Sequence, residues 1–351
     1  GSEMCIRDSY FLNETVFVQK ITGSGSQESV SIYNASNVEE QVYRGGVKVQ
    51  KRDLETQDTV SQGNATLAGA TFSITTLNEQ PVWVNGKLYQ KDEMCLTIIT
   101  DENGLASTEE KALPVGHYRI EETQAPTGYL KDGAKTLEFE ITKDGEMVDL
   151  TSKDTSIANQ VIRGGVKVQK RDIETGETKP QGNATLEGAT FTITNLSTHP
   201  VLVNEKLYES GQVVLTLKTD KSGAAATAKD ALPYGHYRID ETEAPDGYLN
   251  EGKLSQEFDI QENGKIIDLT SKEHAILNQI IRGDLEFVKV SDGDLNRLAN
   301  VPFSITSKTT GESHTIVTDK NGYASTSAEW NKHTANTNRG ETSEAVSYTH
   351  L

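Results

Sequence analysis

Gly45-Gly46-Val47-Lys48-Val49-Gln50-Lys51-Arg52-Asp53 returns further along the chain as Gly164-Gly165-Val166-Lys167-Val168-Gln169-Lys170-Arg171-Asp172. Two properties of this stretch decide the fold. From Val47 its side chains alternate apolar and polar, the two-residue period of a β-strand with one face in a core. It recurs after 170 − 51 = 119 residues, too long for a solenoid unit of about 20–50 residues and right for a whole domain. The same offset links Leu67-Ala68-Gly69-Ala70-Thr71-Phe72 to Leu186-Glu187-Gly188-Ala189-Thr190-Phe191, and Gly116-His117-Tyr118-Arg119-Ile120 to Gly235-His236-Tyr237-Arg238-Ile239.

Complete repeats therefore occupy 44–162 and 163–281. Tyr10 precedes Gly46 by 46 − 10 = 36 residues, as Tyr129 precedes Gly165 by 165 − 129 = 36, so 10–43 is the end of a preceding repeat. Residues 282–345 open a further one. The linkers read as Arg44-Gly45-Gly46 and Arg163-Gly164-Gly165, short enough to predict a semi-rigid rod of domains. Residues 1–9 and 346–351 are set aside from fold reasoning. Met4 to Ser9 and Val346 to Leu351 back-translate to reverse complements apart from the terminal bases, and resemble a transposon-end sequencing adapter. The chain is accordingly expected to be an internal piece of a longer gene.

Within each repeat, short runs rich in Val, Ile, Thr and Tyr are separated by turn formers such as Asp101-Glu102-Asn103-Gly104 and Asp220-Lys221-Ser222-Gly223. No stretch carries a sustained helical period with caps. The fold class that follows is all-β: tandem immunoglobulin-like antiparallel β-sandwich domains. With 351 residues, 34% hydrophobic and 25% charged, the chain can build several modest cores. A formal net charge of −18 argues against a nucleic-acid partner, which most of the surface would repel. No apolar run approaches the roughly 20 residues of a membrane span, so no membrane contact is expected within this piece.

Three polar residues per repeat point the wrong way. Lys51 shares a face with Val47 and Val49, Lys170 with Val166 and Val168, and Lys289 with Leu285 and Phe287. Glu122 follows Tyr118 and Ile120 on one face, as Glu241 follows Tyr237 and Ile239. Asn159 lies between Ile157 and Val161, and Asn278 between Ile276 and Ile280. Burying these groups separately is costly, about 1–3 kcal/mol for an unpaired amide and more for a charge. One reading is a buried Lys–Glu ion pair capped by the amide, or lysines that snorkel out at strand ends. The other is chemistry: an apolar pocket lowers a lysine pKa and raises a carboxyl's, giving a neutral amine nucleophile beside a proton relay. Attack on the asparagine side-chain amide with loss of ammonia leaves an isopeptide bond.

The ordered motifs Val-x-Val-x-Lys-Arg-Asp, Leu-x-Gly-Ala-x-Phe-x-Ile and Tyr118-Arg119-Ile120-Glu121-Glu122-Thr123-Gln124-Ala125-Pro126-Thr127-Gly128-Tyr129 resemble the Cna protein B-type, or SpaA-like, family. The last motif recurs at 237–248. The resemblance covers nearly everything between the two ends. It implies a prealbumin-like sandwich from pilins and adhesin stalks of Gram-positive bacteria, in which a first-strand lysine bonds a last-strand asparagine with help from a glutamate. Carried over, the bond-forming residues are Lys51 with Asn159 and Lys170 with Asn278, and the catalytic ones Glu122 and Glu241. Lys289 belongs to a repeat that breaks off before its glutamate, and Trp330 to Thr342 resembles an insertion of related repeats. Glu40 stands where the preceding repeat would carry its asparagine (159 − 119 = 40), which puts a bond there in doubt.

Cys95 aligns with Val214 and is read as a small buried hydrophobe, and His117 and His236 as outward surface residues. No HExxH, GxSxG or CxxC occurs, and Asp292-Gly293-Asp294 lacks the rest of a calcium loop, so neither metal, cofactor nor enzyme activity on an outside substrate is expected. Two functions remain: a structural stalk of an extracellular, cell-wall-anchored protein, or a module that itself binds a host or matrix ligand. Its partners are expected to be neighbouring repeats of the same chain, and a host or matrix ligand through a head domain outside this piece.

Overall fold

The structure is a computed structural model and describes residues 9–12, 14, 39–131, 135–308, 311 and 313–326. Most of both set-aside ends and the segment from Trp330 to Thr342 lie outside the described residues. Among the described residues there are strands and no helix. The chain divides into two compact units, Gly1–Ile162 and Arg163–Leu351.

In the first unit the opening strand Arg44–Asp53 is the centre of one sheet. Leu105–Ser107 pairs with it along one edge; along the other Met147–Leu150 and then the closing strand Ile157–Val161 pair with it in succession, and Tyr129–Leu130 follows the closing strand. The facing sheet runs Leu137–Ile141, Gly116–Gln124, Thr71–Thr76, Met94–Ile99. Val47, Val49, Phe72, Ile74, Tyr118, Ile120, Ile141 and Ile157 fill the space between them with no exposure. Burying such side chains is worth about 1.5–3 kcal/mol each, which is what holds the sheets face to face. The second unit repeats this plan with opening strand Arg163–Asp172 and closing strand Ile276–Ile280, around Val166, Val168, Phe191, Ile193, Tyr237 and Ile239.

Most pairings are antiparallel, but opening and closing strands are neighbours in parallel, Lys51 opposite Ile157 and Asp53 opposite Asn159. The second repeat keeps this register, Lys170 opposite Ile276 and Asp172 opposite Asn278. Parallel neighbours need a long crossover, and here the whole repeat is that crossover. Chain entering at Arg44 and leaving after Val161 therefore does so at opposite ends of the sheet.

The residues read as linkers are strand residues. Arg44 and Gly45 pair with Pro114 and Leu113, and the Arg44 guanidinium donates to the carbonyls of Trp83 (2.7 Å) and Ala112 (3.1 Å). Arg163 makes the same clamp on Leu202 (2.7 Å) and Ala231 (3.2 Å). The glycine pair is required by close approach: a Cβ on Gly45 would lie 2.5 Å from the Glu146 carbonyl oxygen, and one on Gly46 2.5 Å from that of Glu109.

The flanking pieces keep fragments of the plan. Tyr10 bridges Val42 as Tyr129 pairs with Val161, and Glu40 is exposed. In the further copy, Phe287, Phe303, Ile305, Ile316 and Ala324 form a small cluster. Leu285, expected inward by parity, is 46% exposed, and Lys289 is half-buried. No second layer covers that end of the strand among the described residues.

Candidate functional site

Lys51 and Asn159 come from adjacent parallel strands of one sheet, and Glu122 reaches them from the facing sheet. All three are sealed in the core, with Glu122 at 1% and the others at 0% exposure. The Lys51 Nζ donates to the Ile157 carbonyl at 3.1 Å and lies 3.4 Å from Glu122 Oε1. The Asn159 Nδ2 donates to Glu122 Oε2 at 2.8 Å. In the second repeat a single carboxylate oxygen, Glu241 Oε2, accepts from both Lys170 Nζ and Asn278 Nδ2, each at 2.9 Å. The six residues anticipated from strand parity thus meet in two clusters of three.

Local sequence aims the glutamates. Immediately after Glu122 the pairing of Gly116–Gln124 with Thr71–Thr76 slips by one residue, leaving Thr123 as a bulge. Thr242 is the equivalent bulge after Glu241. Bulges bend a strand and re-aim the neighbouring side chain. The bulged threonine repairs the ladder with its own hydroxyl, Thr123 donating to the Thr71 carbonyl (3.1 Å) and Thr242 to that of Thr190 (3.2 Å). The conformation explains the Glu-Thr pair of the motif.

Burial sets the electrostatics. It pushes the Lys51 amine down to about 8, with the Glu122 charge opposing only in part, and it pushes the Glu122 carboxyl up against the pull of Lys51 and Asn159. Lys170 is lowered and Glu241 raised for the same reason. The Asn159 and Asn278 Oδ1 atoms accept no hydrogen bond. Which amide atom is oxygen is an assignment made from the hydrogen-bond network, and either way a carboxyl hydrogen-bonded to the amide can pass it a proton. The arrangement can therefore do aminolysis. A neutral amine attacks Cγ, the new C–N bond forms, the Cγ–Nδ2 bond breaks, and the glutamic acid relays a proton from the amine to the departing ammonia.

A family model described as SpaA, prealbumin-like fold domain, matches residues 47–156 and 164–274, more than half of the chain. The chain belongs to this SpaA family. No curated protein sequence matches it. Among solved structures, the Bacillus anthracis TIE protein is 28% identical over 82% of this chain, with a TM-score of 0.49, and this chain spans 45% of its length. A streptococcal ancillary pilin is 23% identical over 68% of this chain and 62% of its own, TM-score 0.27. GBS52, a minor pilin of Streptococcus agalactiae, is 16% identical over 68% of this chain and 97% of its own, TM-score 0.27.

The other singled-out residues of the SpaA repeats fall elsewhere. Lys289 has neither a glutamate nor an asparagine partner among the described residues. Cys95 is buried at 4% exposure in the first core, where burial raises its thiol to about 11. His117 is exposed beside Glu138 (3.3 Å), and His236 sits between Asp259 (2.8 Å) and Glu257 (3.2 Å). Sequence reasoning missed Asp53 and Asp172, each fully buried at the end of its opening strand. The signal was present: residue 53 continues the inward series 47, 49, 51.

Proposed function

We propose that this chain is a stalk segment of a bacterial cell-surface adhesin or pilin, extracellular and held at the cell wall, whose complete repeats are each locked by a Lys–Asn isopeptide bond. The observation that carries this reading is the pair of fully buried Lys/Glu/Asn clusters. A buried ion pair is a weak source of stability, since desolvation offsets its attraction, so two of them in small domains call for another use. Bond formation supplies one, because it removes the charge from the lysine and turns the site neutral. The parallel neighbours it joins carry the chain in at one end of the repeat and out at the other. A bond from Lys51 to Asn159 puts residues 52–158, 159 − 51 − 1 = 107 of them, outside the line of load.

Single-molecule pulling of the chain tests this use. The two complete repeats give no unfolding step, while a Lys51→Ala repeat releases on the order of 350 Å, at about 3.3–3.6 Å per residue. Long steps from both unsubstituted repeats contradict the stalk reading. One observation favours the alternative of a ligand-binding module. Trp83 and Leu88 face each other across the hairpin inserted between Thr76 and Met94, and are 55% and 48% exposed. Solid-phase binding to matrix proteins, abolished by Trp83→Ala, would favour that role for the repeats.

A further inference from the structure

Beside each Lys/Glu/Asn cluster lies a second buried polar centre that aminolysis as described leaves unused. Asp53 Oδ2 accepts the Tyr129 hydroxyl at 2.9 Å and Gln62 Nε2 at 3.1 Å, while Oδ1 accepts the backbone N–H groups of Glu55 (2.8 Å) and Thr56 (2.9 Å). The second repeat rebuilds it. Asp172 Oδ2 takes Tyr248 and Gln181, both at 2.9 Å, and Oδ1 the N–H groups of Glu174 and Thr175, both at 2.9 Å. A carboxylate with no exposure requires such donors.

What they hold is the segment on either side of the reacting asparagine. The turn that Asp53 caps delivers the Leu54 N–H to the Asn159 backbone carbonyl at 2.9 Å, and Ile173 does the same for Asn278 at 3.0 Å. Asp53 is the cross-strand neighbour of Asn159, and Tyr129 that of Val161, two residues further on. Asp172, Asn278, Tyr248 and Ile280 stand in the same relation. One motif serves both centres, since Glu122 and Tyr129 are 129 − 122 = 7 residues apart, as are Glu241 and Tyr248. The turn itself does not need the aspartate. In the further copy Ser291 takes its place, and the Ser291 N–H still meets the Asn296 carbonyl at 2.8 Å, as that of Asp53 meets Asp58 at 3.0 Å.

We propose that Asp53 and Asp172 are positioning residues for the Lys–Asn coupling, each clamping its opening strand, through its tyrosine, to the closing strand at the asparagine, while its glutamine ties the intervening turn to the same carboxylate. The inference rests on the reading of the Lys/Glu/Asn clusters as bond-forming sites. Nucleophilic attack needs reacting atoms about 3–3.5 Å apart and aligned, and a misplacement of about 1 Å costs on the order of 100-fold in rate. A clamp on the backbone of Asn159 controls that distance without touching the reacting atoms.

The test uses the full chain made by cell-free synthesis, quenched in denaturant at timed intervals, with ammonia loss assigned to each repeat by peptide mapping. Tyr129→Phe keeps the ring in the core and removes only the hydroxyl; Asp53→Asn keeps the shape and removes the charge. Each variant slows linkage of the first repeat on the order of 10- to 100-fold, leaves the second at its normal rate, and does so with the strands protected in amide exchange. The double variant is no slower than the slower single one, because both break the same clamp. Sucrose, which strengthens folding, does not restore the rate, as it would for a merely loosened fold. First-repeat linkage at the unsubstituted rate in both variants overturns the proposal. If the unsubstituted chain loses no ammonia from either repeat, the bond-forming reading fails first and takes the clamp with it.

Discussion

Lys51, Lys170 and Lys289 begin alike and end differently. Each gives its backbone N–H to a glycine carbonyl in the turn beside the opening strand, Gly104 at 2.7 Å, Gly223 at 2.8 Å and Gly322 at 2.7 Å. Yet Lys51 and Lys170 are fully buried, and Lys289 is half-buried. The difference lies far along the chain. Glu122 is 122 − 51 = 71 residues from Lys51 and Asn159 is 108, and the strands that carry them close over the amine. Among the described residues the further copy has no counterpart of either. An inward lysine in a strand pattern is thus only a candidate; the completed sandwich makes it an amine with a depressed pKa.

That contrast can be broken by removing each lysine. Lys51→Ala opens a closed loop of 108 residues, worth about 4.7 kcal/mol by the chain-entropy relation for a loop of about 100 residues. It also leaves Glu122 without its buried partner. Denaturant unfolding of the first repeat should show at least that loss, whereas Lys289→Ala, with no bond to remove, should stay within about 0.5 kcal/mol.

Glu122→Ala sharpens the comparison between the complete repeats. The first should fold and keep free Lys51 and Asn159 for want of a proton relay, while the second still loses ammonia, as intact mass will show. Full ammonia loss in this variant would remove Glu122 from the catalytic role.

Smaller still is the effect of pH on an unlinked first repeat such as Asn159→Ala. With Lys51 held near 8 in the fold against an ordinary 10.5, the unfolded chain binds more protons between those values. Stability should therefore rise with pH across that window, by on the order of 1 kcal/mol per pH unit. Glu122, raised above 4.5, acts in the opposite sense, so that stability falls as pH rises just above that value. In the linked repeat Lys51 no longer titrates, and the alkaline rise should be absent from a denaturation series.

Strand parity was enough to find the residues of both clusters, because a two-residue period leaves a polar side chain between core positions only one way to face. It was equally enough for Asp53, the last residue of the Val-x-Val-x-Lys-Arg-Asp motif, to which the resemblance assigned no role. The parallel pairing of opening and closing strands was not legible, since nothing local distinguishes a parallel neighbour from an antiparallel one. Nor was the role of Gly45-Gly46. A glycine pair reads as a short linker until the Glu146 and Glu109 carbonyls are seen to leave no room for a Cβ. Leu285 shows the opposite limit, where parity assigns a face and no layer is present among the described residues to bury it.

The central claim is that the buried clusters have reacted, and the intact mass of a folded fragment spanning residues 44–281 tests it most directly. Two complete clusters predict a mass two ammonia units below that of the sequence, with cross-linked peptides joining Lys51 to Asn159 and Lys170 to Asn278. A folded fragment at the full sequence mass would contradict the account and leave two buried ion pairs in its place.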